Sequence, residues 1–283
     1  MVIFALYIDF LAKLCYGSKR GDDMSGLFSD YIRGEGILFK HARGTSDRSG
    51  KEFHVYHEII LFLDGDGEFI SENLHMQLTG GTLILIPRET YHQLVIHGDQ
   101  ERYYRCVLQF DDPEEFSGLT EAFSQNVLTL EADQEIRYLF DKLINASKGE
   151  QDRALRILRS VLVLLLDAVI PKLAAPREES SQNPVIQLAV AYINRNLAEQ
   201  LSIGQIARAC NVSASTLSHI FKGEMHTSVH RFIVNKRLIS AYHRISNGES
   251  ATAAAAACGF GDYSGFYKQY KKAFGFPPSR GNS

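Results

Sequence analysis

Ser202-Ile203-Gly204-Gln205-Ile206-Ala207-Arg208-Ala209-Cys210, then Asn211-Val212-Ser213, then Leu217, Phe221 and Lys222, is matched further along the chain. The second copy reads Ser250-Ala251-Thr252-Ala253-Ala254-Ala255-Ala256-Ala257-Cys258, then Gly259-Phe260, then Phe266, Tyr270 and Lys271. The offset is 48 residues up to the turn and 49 after it, so the second turn holds one inserted residue. Repetition at a fixed period marks a structural unit used more than once.

Each copy reads as helix, tight turn, helix. Ile203, Ile206 and Ala207 fall at i, i+3 and i+4, one face of a short helix. Asn211 and Gly259 tolerate the left-handed backbone that stops a helix. Ser213 and Asp262 suit the N-cap of the next one. That next helix turns Leu217, Ile220 and Phe221 inward in one copy, and Phe266, Gln269 and Tyr270 in the other. The unit is a helix-turn-helix, whose second helix can lie in the DNA major groove. Between the copies, Val229, Phe232, Ile233, Leu238, Ala241, Tyr242 and Ile245 recur at helical spacing. One helix of about 18 residues there spans about 27 Å. It would hold the two reading helices close to one DNA turn apart, roughly 34 Å.

Several further motifs fall in order around the repeats. They are Leu217-Ser218-His219-Ile220-Phe221-Lys222, then Phe232-Ile233-Val234-Asn235-Lys236-Arg237-Leu238-Ile239-Ser240-Ala241. Gly259-Phe260-Gly261-Asp262-Tyr263-Ser264-Gly265-Phe266 and Phe274-Gly275-Phe276-Pro277-Pro278 follow. This segment resembles the DNA-binding domain of the AraC/XylS family of bacterial transcription regulators. His226 stands where the family usually has Gly, and Ala251 and Ala254 replace larger aliphatics. The resemblance implies base contacts at Ser215, Ser218 and His219. In the second copy, Tyr263, Ser264, Gly265, Tyr267 and Lys268 form the outward set. Lys222, Arg237, Lys271 and Lys272 are expected to neutralise phosphates, which gives affinity without sequence information. The alanine run promises a shallower apolar core under the second reader than Ile203 and Ile206 give the first. The first reader should then dominate base discrimination.

The net charge of −3 conceals an asymmetry. From Ser180 onward there are 11 Lys and Arg against 4 Asp and Glu, while the remainder has 19 against 29. A basic end on an acidic body fits a DNA-binding module joined to something that does not bind DNA. Cys15, Cys106, Cys210 and Cys258 form no C-x-x-C pair, which points to reduced thiols and a cytoplasmic address. No apolar run reaches the length of a membrane span.

Residues 1–30 read as an N-terminal extension. Their apolar opening is broken by Asp9 and lacks the basic start and cleavage site of a signal peptide; Met24 is an alternative start. Residues 31–110 change to short β-rich runs between turn signals such as Asp64-Gly65-Asp66-Gly67, the pattern of a small barrel or jelly roll. The order His54, Glu58, Gly81, Pro87, His92 resembles the cupin-like sensing domain that often precedes this DNA-binding domain. Glu52 holds the place of the first cupin metal histidine. Glu52, His54, Tyr56 and Glu58 share strand parity and would face the interior with His92. A polar pocket for a small organic ligand, walled by Ile60, Phe62, Leu83, Leu85 and Leu94, is the preferred reading. Metal ligation and ordinary packing histidines are the alternatives.

Two helices follow the strands. In the second, Leu155, Leu158, Leu162 and Leu165 step by three and four residues, a seam suited to coiled-coil contact. Packing within one subunit is the alternative, and dimerisation is preferred because the resembled family commonly dimerises through such helices. Residues 31–173 thus form the sensing and dimerisation domain, 174–184 a Pro-edged polar linker and 185–283 the DNA-binding domain. The expected fold is α+β: a cupin-like barrel with helices, then an all-α domain with two helix-turn-helix motifs. The expected function is a non-enzymatic, DNA-binding transcription activator without cofactor or metal. It would act as a homodimer on double-stranded DNA with RNA polymerase, under a small-molecule effector; the resemblance suggests a sugar. The rivals are a ligand-independent DNA binder with a structural barrel and a metal-dependent cupin enzyme with a DNA-binding tail.

Overall fold

The computed structural model describes residues 30–44, 49–52, 56–97, 102–111, 127–174 and 183–278. The apolar opening segment, His54 and linker positions 175–182 lie outside the described residues.

The N-terminal part is built from two antiparallel sheets. The larger runs in the order β1 (Asp30–Gly34), β2 (Ile37–Arg43), β9 (Tyr104–Phe110), β4 (His57–Asp64), β7 (Thr82–Ile86) and β10 (Leu128–Glu131). The smaller runs β3 (Ser49–Glu52), β8 (His92–His97), β5 (Asp66–Ser71) and β6 (His75–Gln77). Together they make a cupin-like barrel. Strand β4 shows why its sequence lacks clean alternation. Ile60 and Phe62 face the barrel interior, while Ile59 and Leu61 face helices behind the sheet. A strand covered on both sides reads as a continuous apolar run. Strand β7 is sorted the same way: Ile84 and Ile86 point inward, and Leu83 and Leu85 point to the helices. The expected pocket walls Leu83 and Leu85 are therefore on the opposite side of the sheet.

Two helices cover the larger sheet, α1 (Gln134–Ser147) and α2 (Gln151–Val169), with a 3₁₀ turn over Ile170–Ala174. Asp133 caps α1 by accepting from the Ile136 N–H at 3.0 Å, and Glu150 caps α2 by accepting from Asp152 and Arg153. Helix α2 corrects the dimer seam. Leu158, Leu162 and Leu165 are wholly buried in one cluster with Ile32, Phe39 and Leu108 of the same chain. Leu155 packs at the edge of this cluster, over Gly34. A three-and-four step is the same whether a helix lies on its own sheet or on a second helix; here the sheet lies opposite. The outward apolar residues are Val163 and Leu164, 42% and 54% exposed.

The C-terminal part holds α3 (Pro184–Arg195), α4 (Ile203–Ala209), α5 (Ala214–Met225), α6 (Val229–Ser246), α7 (Ala251–Ala257) and α8 (Tyr263–Phe274). Ser202 and Gln205 form a reciprocal capping box on α4. The first core gathers Ile186, Ile206, Leu217, Phe221, Met225 and Phe232. Ile203 is 40% exposed instead of inward, because α4 is only two turns long and buries Ile206 and Ala207. The second core joins Leu238, Ala241, Ala254, Ala255, Phe266, Tyr270 and Phe274. Rings fill the space the alanines leave: the Tyr270 and Phe274 centroids are 4.5 Å apart and those of Phe260 and Phe266 4.9 Å. The second core is thus aromatic rather than shallow.

Leu162→Ala should destabilise the fold by about 2–5 kcal/mol, and Leu164→Ala by less than about 0.5 kcal/mol, in urea denaturation. Leu158→Asp should abolish folding rather than release a folded monomer.

Candidate functional site

Helix α5 is capped by Ser213, whose hydroxyl accepts from the Thr216 N–H at 3.1 Å, two residues after Asn211 at φ 56°. Its buried stripe is Leu217, Phe221 and Met225. The opposite stripe, Ser215, Ser218, His219 and Lys222, is exposed. Two of these hydroxyls already have local partners: Ser218 donates to the Ala214 carbonyl at 2.8 Å, and Ser215 lies 2.9 Å from Ser213 Oγ. Each keeps further hydrogen-bonding capacity for a base edge or phosphate. His226, at φ 48°, takes the left-handed position that closes α5.

Helix α8 is capped by Asp262, which accepts from the Gly265 N–H at 2.6 Å. A Cβ on Gly265 would come within 2.7 Å of that carboxylate, so Gly265 serves its own cap and presents no side chain to DNA. Ser264, Lys268, Lys271 and Lys272 are exposed, and Tyr267 is half-buried. Tyr263 leans on Phe266 and Tyr267 while leaving its outer edge to solvent.

Arg237 is a correction. It was expected at a phosphate, yet its guanidinium donates to the carbonyls of Leu197 at 2.9 Å, Gly259 at 2.9 Å and Glu199 at 2.5 Å. It ties the two helix-turn-helix units together. A positive charge beside a DNA-reading helix suggests a phosphate contact; the fold directs this one inward.

In the barrel, Glu58 and His92 are both 1% exposed, with Oε2 and Nε2 3.1 Å apart. Gln109 donates to Glu58 at 3.3 Å, and Phe69 stacks on the His92 ring. Two of the five expected ligand residues are thus brought together. The backbone of Glu52 pairs with His92 across β3 and β8. Tyr56 leaves the set. It precedes β4, so the parity argument does not reach it, and it packs with Leu238, Ile239 and Phe274 of the second helix-turn-helix unit. Among the described residues no group of three or more His, Cys, Asp or Glu could hold a metal ion.

Sequence reasoning missed the contact between the barrel and the DNA-reading part. Tyr91 donates its hydroxyl to the Met225 carbonyl at 2.9 Å and lays its ring edge-on to Phe232. The Glu72 carboxylate accepts from Lys236 Nζ at 2.8 and 3.1 Å, from Asn194 Nδ2 at 3.2 Å and from the Tyr91 N–H at 3.0 Å. Lys236 also donates to the carbonyl of Glu89, a residue held at φ 63°. Glu89 itself pairs with His243 at 3.1 Å, and His75 meets Glu224 at 3.4 Å. The partners of Glu72 lie up to 164 residues away, so no local pattern could announce them.

Comparison with known proteins bears on this arrangement. Residues 36–166 match the model of the AraC-like ligand binding domain, and residues 188–281 match that of a helix-turn-helix domain. The chain belongs to the AraC/XylS family of transcription regulators. It is accordingly a regulator with a ligand-binding and a DNA-binding domain, not an enzyme. Among its relatives is the HTH-type transcriptional activator RhaS of Citrobacter koseri, 24% identical over 80% of this chain and 84% of that one. RhaS of Escherichia coli K12 is 22% identical over the same shares. Among solved structures, ToxT from Vibrio cholerae aligns over 88% of this chain and 97% of its own, with 12% identity and a TM-score of 0.43. Among the described residues of this family member no helix is long and apolar enough to cross a membrane.

Burial holds the His243 imidazole below its ordinary value of 6.5 against the opposing pull of Glu89, and does the same to His41 against Asp30. A lowered folded-state value means that the unfolded chain binds the proton first. The stabilising contribution is full above about pH 6.5 and is lost as pH falls through the folded value. Melting temperature should therefore fall on acidification from about pH 7.5 to 5, and His243→Gln should remove part of that fall.

Proposed function

We propose that the chain is a ligand-controlled transcription activator that grips one side of the double helix with two readers. The barrel would transmit the presence of a small-molecule effector to both. The observation that carries this reading is the docking of one barrel on both units. Tyr91 enters the first core and Tyr56 the second, and Glu72 pins α6 between them. An effector controls such a system only through different affinities for different arrangements. Glu58 and His92 offer it a carboxylate and an imidazole inside apolar walls of Ile60, Phe62 and Leu94. The family resemblance, and not the residues of the barrel, suggests a hydroxyl-rich metabolite such as a sugar. The RhaS relatives are transcriptional activators, which supports an activating role here; partnership with RNA polymerase and a cytoplasmic address are part of the proposal. With the inner seam taken, the outward face of α2 around Val163 and Leu164 is the part of this helix left for a homodimer.

Footprinting should show protection in two successive major grooves on one face of the operator; protection of a single groove would defeat the reading. Lys271→Ala should lower the slope of log affinity against log salt by about 0.9. A thermal-shift screen of sugars and related metabolites should find a stabilising ligand. A barrel that serves only as structure would give no shift with any of them. Glu72→Gln should weaken the docking contact by on the order of 3 kcal/mol and decouple effector from DNA affinity, read as an effector response cut several-fold with the barrel still folded.

A further inference from the structure

We infer that Arg237 is a positioning residue that fixes the separation and tilt of the two DNA-reading helices, and so sets the operator spacing the protein accepts. The inference rests on the proposed two-reader grip. Helix α6 is built into both units, with Phe232 and Ile233 in the first core and Leu238, Ala241 and Ile245 in the second. Apolar packing on one rod sets where each unit sits but has no directional bond between the units themselves. Three residues connect α6 to α5 and four connect it to α7. Arg237 supplies the directional tie, off the helix axis.

Its three acceptors are all main-chain carbonyls. Leu197 and Glu199 lie in the link between α3 and α4, within the first unit; Gly259 lies in the turn of the second. A guanidinium is a rigid planar fork, so three bonds from one plane fix orientation as well as distance. The same junction is closed by direct contact. Gly259 sits at φ +80°, and a Cβ there would lie 2.7 Å from the Ala198 carbonyl oxygen and 3.0 Å from Arg237 Cζ. The second turn therefore rests on the first unit's backbone with no room between. Inserting one base pair rotates one half-site against the other by roughly 35°. A joint stapled at three carbonyls cannot follow that rotation, whereas a loosened one can.

The test uses the full chain and duplex sites selected by the wild type from a randomised pool. Affinity is measured for the selected site, for versions with one base pair inserted or removed between half-sites, and for each half-site alone. The wild type should lose at least about tenfold on a one-base-pair change. Arg237→Lys keeps the charge and loses the fork. It should bind all spacings within about threefold of one another, with half-site affinity and salt slope unchanged. Gly259→Ala reaches the same joint from the other side, should give the same flattened profile, and carries the test if Arg237→Lys fails to fold. Full wild-type discrimination in both variants would overturn the inference. So would a proportional loss on half-sites, which marks general damage to the fold, or a lowered salt slope with spacing preference intact, which marks a phosphate contact. A wild type indifferent to spacing would overturn the inference together with the two-reader grip.

Discussion

Helix α6 is the part on which the rest of the molecule depends, because the 3.6-residue turn of a helix sends its side chains to different masters. Phe232 and Ile233 enter the first core, and Leu238, Ala241 and Ile245 the second. Lys236 and His243 reach the barrel, and Arg237 reaches the joint between the readers. Any rotation of this helix is felt in all four directions. No Pro or Gly interrupts its 18 residues, and Ser228 caps its start by accepting from the Arg231 N–H. The sequence of α6 thus looks weakly amphipathic for a good reason: almost every side of it has something to touch.

The barrel and the readers are close in chain as well as in space. His92 follows Tyr91, and Glu58 lies two residues after Tyr56. Both tyrosines lie just before the strands, where the chain leaves the pleat. The Glu58–His92 contact inside the barrel thus shares short pieces of backbone with the two tyrosines that plug the readers outside it. Under the proposed reading, an effector that parts this pair needs no long path to be felt.

Much of this was legible in the sequence, and the failures have physical causes. Turn residues bracket the strands so firmly that His92–His97 falls where the residues place it, and Ser213, Ser250 and Asp262 mark helix starts by capping chemistry alone. Strand β10 does alternate, as Leu128-Thr129-Leu130-Glu131, but four residues are too few for the pattern to stand out. The leucine seam of α2 was visible but its partner was not, because spacing records a buried stripe and not what buries it. The Glu72 cluster and the fate of Arg237 depend on residues brought together only by the finished fold. Charge alone pointed Arg237 at DNA, and three carbonyls hold it elsewhere.

The alanine helix α7 carries a last consequence, for the protein's history. Ala254 and Ala255 are buried among rings, while Thr252, Ala253 and Ala256 face outward. A helix whose outer positions carry no bulk and no charge can accept new residues there without disturbing what lies beneath. The second reader can thus acquire new contacts by drift on its surface, at little risk to folding.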